Sequence, residues 1–317
     1  MKWKKLGKIF DPTNYTLPNN CKEFAQSPQT LVMEDRVRIY FSTREKDAAT
    51  GKFLSHIAFV EMDKEFKNVL EISNDTVIPL GDLGTFDEHG IFPINILKHK
   101  DSILAYTCGW SRRKSVSVET GVGLAFSDDG GKTFKKMGTG PVLTASLNEP
   151  FLVGDAFVCF YENMYHMWYI YGTHWIDNSE EETARVYKIG HATSMDGINW
   201  IKEGRAIIPD VLNADECQAL PTVVFHQNRY HMYFCFREAI GFRKNKERGY
   251  RLGYAYSDDL INWVRDDANA GIGFSDDDWD LGMQCYPHIF KCDDKIYLLY
   301  NGNEFGRKGF GLAILED

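Results

Sequence analysis

Acidic side chains recur at related places along this chain: Asp87 in "GTFDEHGIFP", Asp155 in "VGDAFV", Glu216 in "DECQALP" and Asp280 in "DWDLGMQCYP". Carboxyl groups gathered in one place can supply both a proton donor and a base, because neighbouring negative charges push their pKa values apart. Arginine-glutamate pairs close two strand-like runs, Arg44 with Glu45 and Arg237 with Glu238. His89, Trp110, Trp175, Tyr286, Asn303 and Glu304 stand at comparable positions. The tryptophans offer flat faces on which a ligand ring could stack, although core packing would also explain them. Two basic stretches, "SRRKS" (111–115) and "FRKNKER" (242–248), hold Arg113 and Arg243, whose planar forks suit phosphate or carboxylate oxygens.

Bringing these residues together requires a repeating scaffold, and the sequence contains one. "PTVVFHQNRYHMYFCFRE" from Pro221 aligns without gaps to "PQTLVMEDRVRIYFSTRE" from Pro28, and the same frame catches segments at Pro93, Ala156 and Pro287. The anchors are separated by 65, 63, 65 and 66 residues. Units at 123–134, 190–200 and 253–263 carry a Ser-x-Asp turn followed by an aromatic residue, which reads as a strand, a turn and a covering ring. Each unit therefore reads as four antiparallel strands, and five such units predict an all-β, five-bladed propeller. The last unit stops after three strands, and "WKKLGKIF" (3–10) matches "WIKEGRAI" (200–207), so the N-terminal strand is expected to complete blade five. Residues 1–317 then form one domain, with blades at about 24–86, 87–149, 150–214, 215–280 and 281–317 plus 1–10.

In that arrangement the residues before each anchor share a face with the end of the second strand, so the residues named above collect in a central funnel. Each has a plainer reading too: Asp87 as a turn cap, Glu216 as a solvated loop charge, the Arg-Glu pairs as braces between blades, His89 as a hydrogen-bonded structural histidine. The net charge of -9 argues against a general nucleic-acid binder, which needs a basic field. The N-terminus lacks the apolar run of a signal peptide, and no stretch approaches 18 apolar residues, so a cytoplasmic location with no membrane partner is expected. Seven cysteines with no CxxC pair fit reduced thiols. No metal and no other cofactor is expected.

Five repeats, a Ser-x-Asp-x-x-x-aromatic element and a proline opening the inner strand resemble the five-bladed propeller glycosidases: family 43, the family-32 type of invertases and levansucrases, and the family-130 mannoside phosphorylases. "GTFDEHGIFP" (84–93) and "YNGNEFGRKGFGLA" (300–313) are similar to segments of glycosidase-like propellers associated with bacterial surface-polysaccharide synthesis. "SDDGGKTF" also fits the sialidase Asp-box, a structural turn.

The resemblance implies a glycoside hydrolase that uses paired carboxylates. Asp155 matches the blade-three orienting Asp, and Glu216 loosely matches the blade-four acid, three residues intervening before Pro221. Blade one departs from the pattern, with Gln26 and Ser27 where the family has Asp. Asp87 or Asp280 would then replace the base, or an acceptor such as phosphate would replace water. A phosphorylase or glycosyltransferase, and a non-catalytic sugar-binding propeller, stay open beside the hydrolase. The expected ligand is an anionic carbohydrate, such as a phosphorylated, nucleotide-linked or carboxylated sugar, steered by the two basic loops.

Overall fold

The structure, a computed structural model, describes residues 1–177, 183–275 and 279–316. After β1 (Trp3–Phe10) come β2 (Gln26–Val32), β3 (Val37–Lys46), β4 (Phe53–Met62) and β5 (Val69–Ile72), each paired antiparallel with the next from β2 onward. The same meander recurs in β6 (Gly90–His99), β7 (Ser102–Arg112), β8 (Val118–Ser127) and β9 (Lys135–Lys136). It recurs again in β10 (Val153–Tyr161), β11 (Met164–Ile176), β12 (Ala184–Ser194) and β13 (Ile201–Lys202). A further copy is β14 (Glu216–His226), β15 (Arg229–Glu238), β16 (Arg251–Ser257) and β17 (Val264–Arg265). The last strands, β18 (Cys285–Cys292), β19 (Lys295–Asn301) and β20 (Phe310–Leu315), gain β1 as their fourth, with Trp3 opposite Leu315 and Phe10 opposite Phe310. One parallel bridge, Ser55 to Gly90, joins the first two groups.

The aromatic and β-branched runs suit strands covered on both faces. Eight of the ten residues of β15, "RYHMYFCFRE", are buried. Between neighbouring groups these faces form apolar clusters, such as Tyr40, Ile57, Ile91 and Ile94 between the first two. Phe10, Phe41, Leu299 and Phe310 do the same between the last group and the first. Burying one such side chain contributes roughly 1.5–3 kcal/mol, so these interfaces hold the groups together. The Ser-x-Asp elements are structural turns: Asp196 accepts backbone hydrogens from Ile198 and Asn199, and Asp259 does so from Ile261 and Asn262.

The innermost strands β2, β6, β10, β14 and β18 each slip register at the anchor. The residue before the anchor is left-handed in four of them: Ser27 (φ 53°), Asp155 (φ 51°), Leu220 (φ 49°) and Tyr286 (φ 57°). In the fifth, Phe92 joins Pro93 through a cis peptide bond. A bulge of this kind re-aims one side chain out of the ladder. Below it, side chains stitch neighbouring inner strands: Asn95 Nδ2 donates to Gln29 and its Oδ1 accepts from Val158 N, Ile289 N donates to Thr222 Oγ1, and Thr30 N donates to His288 Nε2.

Candidate functional site

A cavity of about 1120 Å³ opens at the end of the inner strands where the bulges lie. Three bulge residues or their neighbours reach it directly, Phe92, Asp155 and Tyr286, together with Gln26 of β2. The ends of the second strands add Arg44, Trp110 and Arg237, and the starts of the third strands add Arg185, Tyr187 and Tyr250. The 239–249 loop contributes Phe242, Arg243, Lys244 and Lys246, and the segment after β19 contributes Asn303, Glu304 and Phe305.

Asp155 is the one buried carboxylate among the described lining residues, 8% exposed. Burial pushes its carboxyl up to about 7, and nearby Arg185, the Cys108 thiol and Leu220 N limit the rise. Gly154 makes this closeness possible, since a Cβ there would lie 2.5 Å from Cys108 Sγ. An acid that holds its proton near neutrality is suited to general acid catalysis.

The charged side chains of the described lining are mostly cationic: Arg44, Arg185, Arg237, Arg243, Lys244, Lys246 and Arg307 stand against two carboxylates, Asp155 and Glu304, in a chain whose net charge is -9. Among the described residues no carboxylate lies within ion-pairing distance of Arg44, Arg185, Arg237 or Arg243. Arg44 Nε donates to Gln26, and its guanidinium lies over Phe24 at 4.9 Å. Gln26, at the place where the resemblance implies an Asp, thus holds a guanidinium by a neutral oxygen.

Asp87, Glu216 and Asp280 do not reach this cavity. Each is almost fully buried at the entrance to an inner strand and meets a cation on the fourth strand of its own group. Asp87 pairs with Lys136 at 2.5 Å, Glu216 with Arg265 at 2.6 Å and Asp280 with Lys5 at 2.7 Å. Glu149 with Lys202 at 2.6 Å is a fourth example. Burial alone would raise the Glu216 carboxyl, but hydrogen bonds from Val211 N, Arg265 and Gln218 hold it below its ordinary value. The same opposition, with Lys5, Ser275 and Gln284 as donors, lowers Asp280. These carboxylates are braces from the innermost strand to the outermost, the reason that acidic residues recur before the anchors. Glu216→Gln is therefore expected to lower unfolding stability by about 3 kcal/mol while turnover per folded molecule stays at the wild-type level. Urea denaturation and an active-fraction assay check this pair of outcomes.

Other sequence-predicted residues also lie outside the cavity. Glu45 meets His56 at 2.9 Å, and Glu238 meets Arg248 at 3.6 Å. His89 contacts Glu88 at 3.1 Å and stacks on Trp110, while Trp175 packs against the apolar cluster between the later groups. Arg113 is paired with Glu119, and Arg112 donates to Phe53 O, so the 111–115 loop is engaged within the chain. The sequence reading missed Arg185, Tyr187 and Tyr250, because it followed second-strand ends and not third-strand starts. The signal was available: Arg185 and Tyr187 are two apart on one strand and so share a face. Among the described residues no group of three or more His, Cys, Asp or Glu side chains is placed to hold a metal ion.

No protein-family profile matches the chain. Solved structures share its fold at low sequence identity. A glycoside hydrolase superposes with a TM-score of 0.74 at 15% identity, over 99% of this chain and 93% of that one. A member of the GH130 family of mannoside phosphorylases gives 0.69 at 13% identity, over 99% and 93%. A thermostable family-43 glycoside hydrolase gives 0.65 at 15% identity, over 95% and 94%. In sequence, protein Rv1502 of Mycobacterium tuberculosis is 31% identical over 318 aligned residues that cover 100% of both chains. Similarity along the whole of both chains at that level places this protein, built on the fold of the β-propeller glycosidases, in the same family as Rv1502.

Proposed function

We propose that the chain is a carbohydrate-active enzyme that breaks or transfers a glycosidic bond, with Asp155 as the proton donor to the leaving oxygen. It works as one domain, a closed five-bladed propeller whose last blade takes its outer strand from the N-terminus. The pairing of β1 with β20 and the apolar cluster between the last and first groups support that closure. The observation that carries the chemistry is Asp155: a buried carboxyl, pushed up to about 7, at a bulge that aims it into the large cavity.

Two-carboxylate hydrolysis requires a partner for Asp155. Among the described lining residues the only other carboxylate is Glu304, which is exposed. Arg185 lies near Asp155 and cations outnumber carboxylates among the described lining residues, which favours transfer to, or from, a group that brings its own negative charge. In such a step the Asp155 proton passes to the glycosidic oxygen as its bond to the anomeric carbon breaks. The acceptor oxygen forms the new bond, and the carboxylate regains a proton from the acceptor or solvent. A glycoside hydrolase and a member of the GH130 family among the fold neighbours support the substrate class.

The test is product analysis by mass spectrometry on neutral and anionic glycosides, with and without phosphate. A glycosyl phosphate formed only when phosphate is present identifies transfer, and free sugar in both conditions identifies hydrolysis. Recovery of every glycoside intact in all conditions rejects an enzymatic role.

A further inference from the structure

We propose that Arg237, with the hydroxyl pair Tyr187 and Tyr250, forms a subsite for a phosphate-type oxyanion in the floor of the cavity. The proposal deepens the functional reading above by naming the group that the cationic cavity receives.

Arg237 is 4% exposed, lines the cavity and has no carboxylate partner among the described residues. A guanidinium stays ionised in a protein, so its burial is costly unless donors are satisfied and charge is balanced. Its five N–H groups can be followed one by one. Nη1 donates to Glu238 O at 2.7 Å and to Ala239 O at 3.3 Å, and Nη2 donates to Tyr187 Oη at 2.9 Å. Nε has no partner, although it is buried. Tyr250 is a further hydrogen-bond partner of the guanidinium, so the donor left over is Nε–H, on the fork edge that carboxylates and phosphates take.

The tyrosines add a second donor. Tyr187 Oη and Tyr250 Oη are 2.7 Å apart and share one hydrogen bond. Two hydroxyls bring two protons, and one bond uses only one. Whichever tyrosine donates, one O–H is left with no acceptor assigned among the described residues, on a side chain that lines the cavity. Both rings are buried, and burial pushes the Tyr187 phenol up and the Tyr250 phenol well up, so these hydroxyls remain protonated at neutral pH.

Charge and position fit the same group. Phe242 separates two guanidiniums, with Arg237 over its ring at 3.6 Å and Arg243 at 4.5 Å. Arg44 lies close enough to Arg243 and Tyr286 to feel both. A set made only of donors, with more than one uncompensated positive charge, selects a multiply charged acceptor over a neutral hydroxyl. A phosphoryl group, with its several oxygens and up to two negative charges, satisfies those donors where a sugar hydroxyl cannot. The group could arrive on a sugar or as free phosphate, and the chemistry of recognition is the same.

Isothermal titration calorimetry on the full chain decides the matter, with inorganic phosphate, a hexose 1-phosphate and the neutral hexose as titrants. Both phosphates are expected to bind, with affinity falling as salt rises, and the neutral hexose to bind more weakly than its phosphate. Arg237→Met is expected to weaken phosphate binding about tenfold or more, the loss of a charged hydrogen-bonding contact. Tyr250→Phe is expected to weaken it several-fold, and Arg113→Ala, outside the cavity, to leave it unchanged. Tighter binding of the hexose 1-phosphate than of inorganic phosphate assigns the group to the substrate, and equal binding assigns it to a free acceptor.

If Arg237→Met fails to fold, Arg237→Lys and Tyr250→Phe carry the test. No heat from either phosphate with folded wild-type protein, or unchanged affinity in the folded variants, overturns the subsite. Binding is read without turnover, so the two readings fail separately. Phosphate binding with no glycoside cleaved removes the enzymatic reading alone, and turnover of neutral glycosides without phosphate binding removes the subsite alone.

Discussion

Asp155→Asn is expected to reduce glycosyl cleavage or transfer by about 10²–10⁴-fold, the usual contribution of a positioned general acid, while the protein stays folded and still binds ligand. The backbone accepts the change, because Asn tolerates the left-handed conformation (φ 51°) that position 155 adopts. The amide keeps the shape of the carboxyl and removes its transferable proton. In the wild type, turnover should decline as pH rises through about 7, where burial has placed the carboxyl.

Stability gives an independent readout of the same group. The unfolded chain releases this proton near about 4, the folded chain at about 7. Between those values the folded state binds more protons, so this group makes stability fall as pH rises across the window and keeps it lower above 7. Asp155→Asn should abolish that component and melt at a higher temperature than wild type at pH 8. Full activity in the variant, or identical melting profiles from pH 4 to 8, would contradict the role given to Asp155.

Deleting Met1–Phe10 is expected to cause the largest loss of stability, leaving little folded protein at 37 °C. Four losses coincide in this strand. β20 becomes an open edge, prone to pair with another chain. The buried hydrogen bond from Trp3 Nε1 to Tyr233 Oη, 2.7 Å long, disappears, as does Phe10 from its cluster. Asp280, 0% exposed, loses Lys5. Removing one partner of a buried ion pair costs about 3–5 kcal/mol, because the remaining charge stays in a poor dielectric. Lys5→Met isolates that last contribution and should lower unfolding stability by about 3 kcal/mol. Urea denaturation of the point variant and soluble yield of the deletion measure these effects, and a deletion that melts with the full-length chain contradicts them.

The architecture was legible in the sequence because strand repeats leave a period, and a period survives the exchange of individual residues. The anchors at 28, 93, 156, 221 and 287 fall at the five register slips, and "WKKLGKIF" forms the strand that pairs with β20. The site was legible only in part. Asp155, Arg44, Trp110, Arg237, Arg243, Tyr286, Asn303 and Glu304 line the cavity, whereas Asp87, Glu216 and Asp280 do not. Sequence spacing located both sets near an inner-strand entrance, but a displacement of a few residues decides between facing the funnel and facing the outer strand. Composition could not reveal the partner either: Lys136, Arg265 and Lys5 lie 49 or more positions from their carboxylates along the chain, which no local pattern links. Local charge was similarly hidden, since a net charge of -9 averages over a cavity whose described lining holds more cations than carboxylates.

The register slips of the inner strands separate where a side chain points from what that side chain is. Ser27, Phe92, Asp155, Leu220 and Tyr286 range from polar to charged to aromatic, yet each stands immediately before an anchor at a register slip. The backbone at each slip thus works as a socket, held by the strands on either side, for any plug that tolerates the local backbone. A substitution at Phe92, Asp155 or Tyr286 can alter acidity, shape or polarity in the cavity while the load is borne elsewhere, by the apolar interfaces and the buried ion pairs. Reactivity in such a scaffold can change while its shape persists.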